Sequence, residues 1–407
     1  MANYVGIFAY LGKRRIAHVG LSLVLIPTAI SLHAQTWTSN NAPNLSWSKA
    51  ASSADGARLA AVAFTGPVYI SPDGGASWNA TTTPTDGWFS VASSADGSVL
   101  IAASRSFNLS GSYVSTNSGV TWRAGLFTGN WVACSTDGQT LFSLLNSGIL
   151  NVSTNKGDNW NLATPLPPQS LGWSGIGCSA NASRIVAISV NGALYASSDH
   201  GTTWTSNSVS GMRWSSIACS ADGTKYVVAA GRANGQPGPI YFSTDSATNW
   251  NPAEAPITNW VGLCSSADGR NMFASTASDG PLTGANAIYR STNFGASWFR
   301  FSAPTPWWMG IAASADAGRL VVPAAVSIYT AQFIQPPTLN ILSTNGSVTL
   351  SWIMPSTNFV LQETFDLASG YWTDVPDTPS FDPATLHESV TRQATAPSSY
   401  YRMTLPP

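Results

Sequence analysis

Charge is what this 407-residue chain has least of: Asp, Glu, Lys and Arg together make up 9% of it, and the formal net charge is −1. Ordinary soluble domains carry about 25%. The surface must therefore be built largely from Ser, Thr, Asn and Gly. No basic stripe exists to neutralise phosphates, which excludes nucleic acid as an expected partner. The four histidines and four cysteines form no cluster at metal-ligand spacing, so neither a metal nor a cofactor is expected. Long apolar runs are missing too, except near the start. There Lys13-Arg14-Arg15 precede an apolar run from Ile16 to Ile30, followed by Leu32-His33-Ala34. Residues 1–34 thus read as an export signal, because the run is broken by His18 and Pro27 and falls short of the ~20 apolar residues of a membrane span. A secreted, periplasmic or cell-surface protein with no transmembrane segment in the mature chain is expected.

What the chain does have is a phrase. Trp-x-x-Ile/Val-Ala-x-Ser-x-Asp-Gly recurs with leading residues Trp47, Trp88, Trp131, Trp173, Trp214, Trp260 and Trp308, giving periods of 41, 43, 42, 41, 46 and 48 residues. Periods of roughly 40–50 residues belong to propeller blades or solenoid coils. Each period holds four short apolar or alternating runs punctuated by Gly, Asn, Asp and Ser, with no helical spacing, so a four-stranded blade is predicted. Turns such as Asp55-Gly56 and Asp222-Gly223 are tight-hairpin signals, since Gly accepts positive φ and Asp bonds its own backbone. Arg58, Arg184, Arg319 and Lys225, three residues beyond the turn Asp or Asn, read as solvated partners of that residue.

The predicted fold is all-β: a seven-bladed β-propeller over residues 36–333, closed by an N-terminal strand. The seventh repeat ends after Ile328-Tyr329-Thr330 without its final Trp-bearing strand, and Thr36-Trp37-Thr38-Ser39-Asn40 matches Thr203-Trp204-Thr205-Ser206-Asn207. Such closure removes the open edges of a linear array. Cys134, Cys178 and Cys219 occupy one repeat position in neighbouring blades, too far apart to bridge, and read as buried small side chains. After a linker at 334–338, residues 339–407 change vocabulary. Strand-like runs at Val348 to Trp352, Phe359 to Gln362, Trp372 to Val375 and Tyr400 to Leu405 fit a small β-sandwich resembling fibronectin-type or immunoglobulin-like modules.

Six segments, among them Ser71 to Trp78, Ser197 to Trp204 and Ser291 to Trp298, follow Ser-x-Asp/Asn-x-Gly-x-x-Trp. They resemble the turns of the BNR or Asp-box propellers, a family that includes sialidases, xyloglucanase modules, sortilin-type receptors and photosystem II assembly factors. The resemblance implies a structural turn between third and fourth strands, on the face away from any ligand. Asn117, Asn155 and Asn293 replace the Asp in half the copies, which makes the boxes poor metal sites. Ala247 stands where the fifth box should have Gly, putting that turn in doubt. Sialidase chemistry fits poorly, since no Phe/Tyr-Arg-Ile-Pro segment is present and Glu254 is the only propeller glutamate.

Charged residues on the opposite face, namely Arg105, Arg213, Arg232, Asp86, Glu254 and Asp279, are the ones placed to form a site. The long loops Arg232 to Pro239 and Ser275 to Ala287 mark the same face. Glu254 and Asp279 are the candidate catalytic pair. Arg213 and Arg232, with Trp173, Trp214, Trp260 and Trp308, are the candidate binding residues, because a rim of exposed indoles would stack sugars or grip apolar side chains; indoles tucked between blades would instead be spacers, which recurrence in all seven repeats favours. The expected function is an exported, non-catalytic binding scaffold for a protein or a polysaccharide. A glycoside hydrolase or lyase of xyloglucanase or sialidase type, and an assembly factor like those of photosystem II, are the alternatives.

Overall fold

The computed structural model describes residues 36–333 except 105–110, 126–128, 164–165, 167–171, 207–208, 210–211, 232–236 and 278–285. It also describes 337–404 except 345–346, 355–358, 384 and 394–398, and the paired strands Phe8–Tyr10 and Ser22–Val24. The remainder of the expected signal lies outside the described residues. No helix among them is long and apolar enough to cross a membrane. The chain divides into two compact units, one built on Thr36–Gln332 and the other on Phe333–Asp382 and Leu386–Pro407.

The first unit is a β-propeller array of four-stranded antiparallel sheets, here called blades. In blade five the strands are Trp214–Cys219, Tyr226–Ala230, Ile240–Ser243 and Asn251–Pro252. Second strands such as Leu59–Ala63 and Tyr226–Ala230 are buried along their whole length, as sheets covered on both faces require. Fourth strands are exposed and begin just after the box tryptophan rather than on it. In the last sheet the outer place is taken by Thr36–Ser39, which pairs with Ile328–Gln332 in the register Trp37 to Ala331.

Neighbouring sheets are tied at the Asp-Gly turns. The residue before each turn Asp or Asn donates its N–H to its counterpart in the next sheet: Ala54 to Ala95, Ala95 to Thr136, Thr136 to Ala180 and Ala180 to Ala221. The run continues from Ala221 to Ala267, from Ala267 to Ala315, and from Ala315 back to Ala54, at 2.7 to 2.8 Å. Two of the turn cations, Arg58 and Arg184, join the same layer rather than pairing with their own turn residue as the sequence suggested. Arg58 donates to the Asp96 carbonyl at 3.0 Å and Arg184 to the Gly223 carbonyl at 3.3 Å, each in the following blade, and only Lys225 reaches its own turn carboxylate, at 3.5 Å. Their stems explain the glycines: a Cβ on Gly97 (φ +69°) would stand 2.8 Å from the Arg58 side chain.

All six Ser-x-Asp/Asn turns share three bonds: the serine hydroxyl accepts the N–H four residues on and donates to the Asp or Asn side chain, whose oxygen accepts the N–H four residues beyond it, whereas the further side-chain bond differs between Asp and Asn copies. In the fourth, Ser197 Oγ accepts the Gly201 N–H and donates to Asp199, whose carboxylate accepts the Thr203 N–H and hydroxyl. The fifth keeps this geometry in spite of Ala247, which accepts φ +65° and still donates to Ser243 Oγ. The four cysteines are unbridged, and burial pushes the Cys178 thiol up to about 12.

The second unit holds two antiparallel sheets around one apolar cluster that includes Val348, Leu350, Trp352, Leu361 and Met403. Ser347–Ile353 alternates buried and half-buried side chains along its length. Asn340–Thr344, Ser380–Asp382 and His387–Gln393 are strands the sequence reading passed over, because each carries few apolar residues to mark a period.

The box wiring has an acid signature. Hydrogen bonds from the Thr203 hydroxyl and then its N–H lower Asp199 to about 2, from an ordinary 3.8. A value depressed on folding stabilises the fold fully above the ordinary value, and that stabilisation is lost as pH falls through about 2. A carboxyl-carbon NMR titration of Asp199 is expected to show a midpoint near 2. A midpoint near 4 would contradict the wiring.

Candidate functional site

Six of the leading tryptophans stand eight residues before the turn Asp or Asn, but Trp131 stands six before Asp137. The residue eight before is Gly129. The equal spacing read from the phrase is therefore wrong for the third blade, and the difference decides where each indole goes.

The six in-phase indoles are core residues. Trp47, Trp88, Trp214, Trp260 and Trp308 are 0% exposed and Trp173 is 1% exposed. Each meets a third-strand tyrosine edge-on, as in Trp47 with Tyr69 at 5.3 Å and Trp214 with Tyr241 at 5.8 Å. Three donate their indole N–H to a glycine carbonyl of the preceding blade: Trp88 to Gly66, Trp214 to Gly192 and Trp260 to Gly238. Trp173, Trp214, Trp260 and Trp308 are thus packed in the blades rather than set out as an exposed rim, although Trp214 also borders the cavity at the channel mouth. In blade three both members of the aromatic pair are absent: Gly129 replaces the tryptophan, and buried Asn151 occupies the tyrosine position.

Trp131 instead shares its position with Lys49, Ser90, Gly175, Ser216, Gly262 and Gly310, all six residues before the turn. Residues of this level and the next line a cavity of about 150 Å³ enclosed by the first strands. Above it, at the end where the first strands begin, lies a cavity of about 400 Å³ sharing Lys49, Trp131, Ser174 and Ser215 with the lower one. First-strand residues from successive blades surround both, so this is the axial channel and its mouth.

The mouth is asymmetric. On one side Phe64, 39% exposed, stands 6.3 Å from Phe89, whose ring meets Trp131 edge-on at 4.7 Å. Phe89 reaches the mouth because a β-bulge between Trp88 and Ser90 takes it out of the ladder. The same bulge position holds Ser48, Ser174 and Ser215, whose hydroxyls tie the next blade's leading carbonyl at 2.9, 2.8 and 3.0 Å. Trp131 does the equivalent with its indole N–H, donating to the Trp173 carbonyl at 3.0 Å. Val190, Val261 and Met309 complete the apolar wall. Lys49 runs from the first blade past Gly310 of the seventh, where a Cβ would meet its Cδ at 3.3 Å, and donates to the Val261 carbonyl of the sixth at 3.0 Å.

Of the charged residues named from sequence, the described ones, Arg213, Glu254 and Asp86, do not line this cavity. Arg213 is exposed at the mouth end, where its carbonyl accepts the Gly231 N–H. Glu254 lies elsewhere: its N–H donates to Ala296 and its carbonyl accepts from Trp298, because the chain past the fourth strand of blade five runs along the sixth box. Asp86 is buried against Ser104. Arg105, Arg232 and Asp279 lie outside the described residues. Sequence reasoning missed Lys49, Phe64 and Phe89, and missed Trp131 as a site residue, although the two-residue displacement was there to be counted.

No protein-family model matches the chain, and no curated protein does. Solved structures do. A GH74 xyloglucanase from Xanthomonas campestris has 17% sequence identity over 79% of this chain and 60% of its own, with a TM-score of 0.59. YCF48 bound to D1 peptide has 13% identity over 75% of this chain and 99% of its own, with a TM-score of 0.56. YCF48 from Cyanidioschyzon merolae has 16% identity over 73% and 98%, with a TM-score of 0.55. These likenesses establish a β-propeller. The chain spans about 60% of the length of the xyloglucanase.

The displaced tryptophan separates core from site in a single comparison. Trp214→Ala is expected to cost roughly 3–5 kcal/mol, as buried tryptophans do. Trp131→Ala removes one hydrogen bond, one aromatic pair and the packing of a half-buried ring against the core of blades three and four, and is expected to cost less than Trp214→Ala, about 2–3 kcal/mol. Denaturant unfolding of both variants measures this, and equal losses would contradict the assignment.

Proposed function

We propose that the chain is an exported, non-catalytic binding propeller of Asp-box type, a closed seven-bladed ring followed by a fibronectin-like β-sandwich that serves as spacer or tether. It takes a protein or glycan ligand at the channel mouth. Support for the ring comes from the hydrogen bond of Ala315 back to Ala54 and from the pairing of Thr36–Ser39 in the last sheet. Support for the Asp-box reading is the common wiring of six turns.

The observation that carries the binding reading is the mouth itself: three aromatic rings displaced from the blade cores, an aliphatic wall, and a volume of about 400 Å³. Ligand sites are largely apolar concavities with a few fixed polar groups. Glycoside hydrolysis needs two carboxyl groups about 5–9.5 Å apart. Among the described residues lining the mouth there is no Asp or Glu, so the geometry favours binding over cleavage. The mixed aliphatic and aromatic wall favours an apolar side chain of a protein over a sugar ring. One of the structural neighbours was solved with a peptide, others are xyloglucanases.

The test is a peptide and polysaccharide array probed with mature chain and with Trp131→Ala. Binding that falls at least tenfold in the variant, with no shortened glycan products, is expected. Binding indifferent to Trp131, or release of hydrolysis products, would overturn the reading.

A further inference from the structure

We infer that the propeller carries a second ligand site, for a neutral sugar, in the crevice between blades one and seven at the turn end. It stands apart from the reading of the mouth and rests on a break in the turn layer. Arg58 and Arg184 each close on two acceptors of the following blade: a turn carbonyl, and the hydroxyl of the fourth box residue, Ser118 or Ser246. Arg319 of the seventh blade takes the same path toward the first. A Cβ on Gly56 would stand 2.8 Å from its Cδ, as a Cβ on Gly97 would stand 2.9 Å from the Cδ of Arg58. The fourth box residue of blade one, however, is Gly74, which has no hydroxyl. Among the described residues the Arg319 guanidinium makes no hydrogen bond and no ion pair.

Arg319 and Gly74 both line a cavity of about 310 Å³. Its walls add donors and acceptors of other kinds: the hydroxyls of Thr36 and Thr38, the Gln332 amide and the Asp73 carboxylate. Thr36, Thr38 and Gln332 are exposed, and their side chains make no hydrogen bond among the described residues. Asp73 accepts from the Ser71 hydroxyl and from the Ser77 N–H and hydroxyl, which leaves about one of its roughly four lone-pair directions. Charge decides against an ion. Asp316, in the turn that carries Arg319, offsets the guanidinium through space, and Asp73 adds a second carboxylate. An anion would meet both acids and a cation would meet Arg319, whereas a neutral ligand meets neither penalty. A hydroxyl both accepts and donates. Hydroxyls on adjacent ring carbons can therefore take a guanidinium fork and give to a carboxylate or an amide at once. The volume lies near the lower limit of small-molecule sites, roughly 300–1,000 Å³, and suits a sugar of one or two rings.

Backbone amide shifts of the full chain test this, titrated with glucose, galactose and mannose and, at a mildly acid pH, with the charged sugars glucuronate and glucosamine. At least one neutral sugar is expected to shift the amides of Thr38, Gly56 and Gly74, and to bind at least fivefold more tightly than either charged sugar. Two substitutions copy what sister blades already hold. Gly74→Ser restores the second acceptor, since Ser118 and Ser246 keep φ of 58° and 62° at that position and a Cβ on Gly74 would stand 3.6 Å from the Gly56 carbonyl oxygen. It is expected to cut sugar affinity at least tenfold, with near-ultraviolet circular dichroism unchanged. Arg319→Lys keeps the charge, as Lys225 does in blade five, but gives up the planar fork, and is expected to weaken binding as well. Undiminished affinity in either folded variant overturns the inference, and so does a failure of all three neutral sugars to bind. Shifts confined to the residues around Trp131 also overturn it, while leaving the mouth as a ligand site.

Discussion

A circuit of seven backbone hydrogen bonds, running from Ala54 through Ala95, Thr136, Ala180, Ala221 and Ala267 to Ala315 and back to Ala54, is the constraint on which the rest of the propeller depends. Each bond is worth only about 1 kcal/mol net. Their effect is cooperative, because each fixes the spacing of two adjacent first strands and the last depends on all the others. The layer explains why the turns are small and uniform. Glycines admit the preceding blade's arginine or lysine stem, and the serine before the turn accepts and donates within it, as Ser53 does to Arg58 and Asp55.

At the opposite end of the same strands the repeats are free to differ, and there they do. Six blades close over a tryptophan–tyrosine pair. The third has neither, and its tryptophan is displaced by two residues into the channel. In the second blade the bulge position holds a phenylalanine rather than a linking serine. Two small departures from the repeat thus place an aromatic arc on one side of the mouth, while Lys49 crosses from the first blade to the sixth. Regularity at the turn end and irregularity at the mouth are complementary, since a regular hydrogen-bonded layer lets a few side chains change without loss of the scaffold.

The repeated four-stranded sheets of the propeller were legible in the sequence because their signals are local and repeated: Asp-Gly turns, strand-length apolar runs and the Ser-x-Asp/Asn phrase each report on the residues beside them. The site was not, for two physical reasons. Tryptophan is equally suited to a blade core and to a ligand wall, so recurrence, which favours packing, treated all seven indoles alike and hid the one that is displaced. Lys49 was passed over because a side chain's destination depends on its neighbours' sizes. Glycine at position 310 lets a lysine cross the channel, and the segment after the outer strand Asn251–Pro252 carries Glu254 along the next blade's box. Counting back from the turn Asp, rather than forward from the tryptophan, would have singled out Trp131.

Amide hydrogen exchange across the turn layer tests the account most directly. The amides of Ala54, Ala95, Thr136, Ala180, Ala221, Ala267 and Ala315 are expected to exchange together in the slowest class, at the rate of global unfolding, with Ala315 and Ala54 as protected as the others. If Ala315 and Ala54 exchanged orders of magnitude ahead of the remaining five, the circuit would be open between the last blade and the first, and the rigid mouth argued here would not exist.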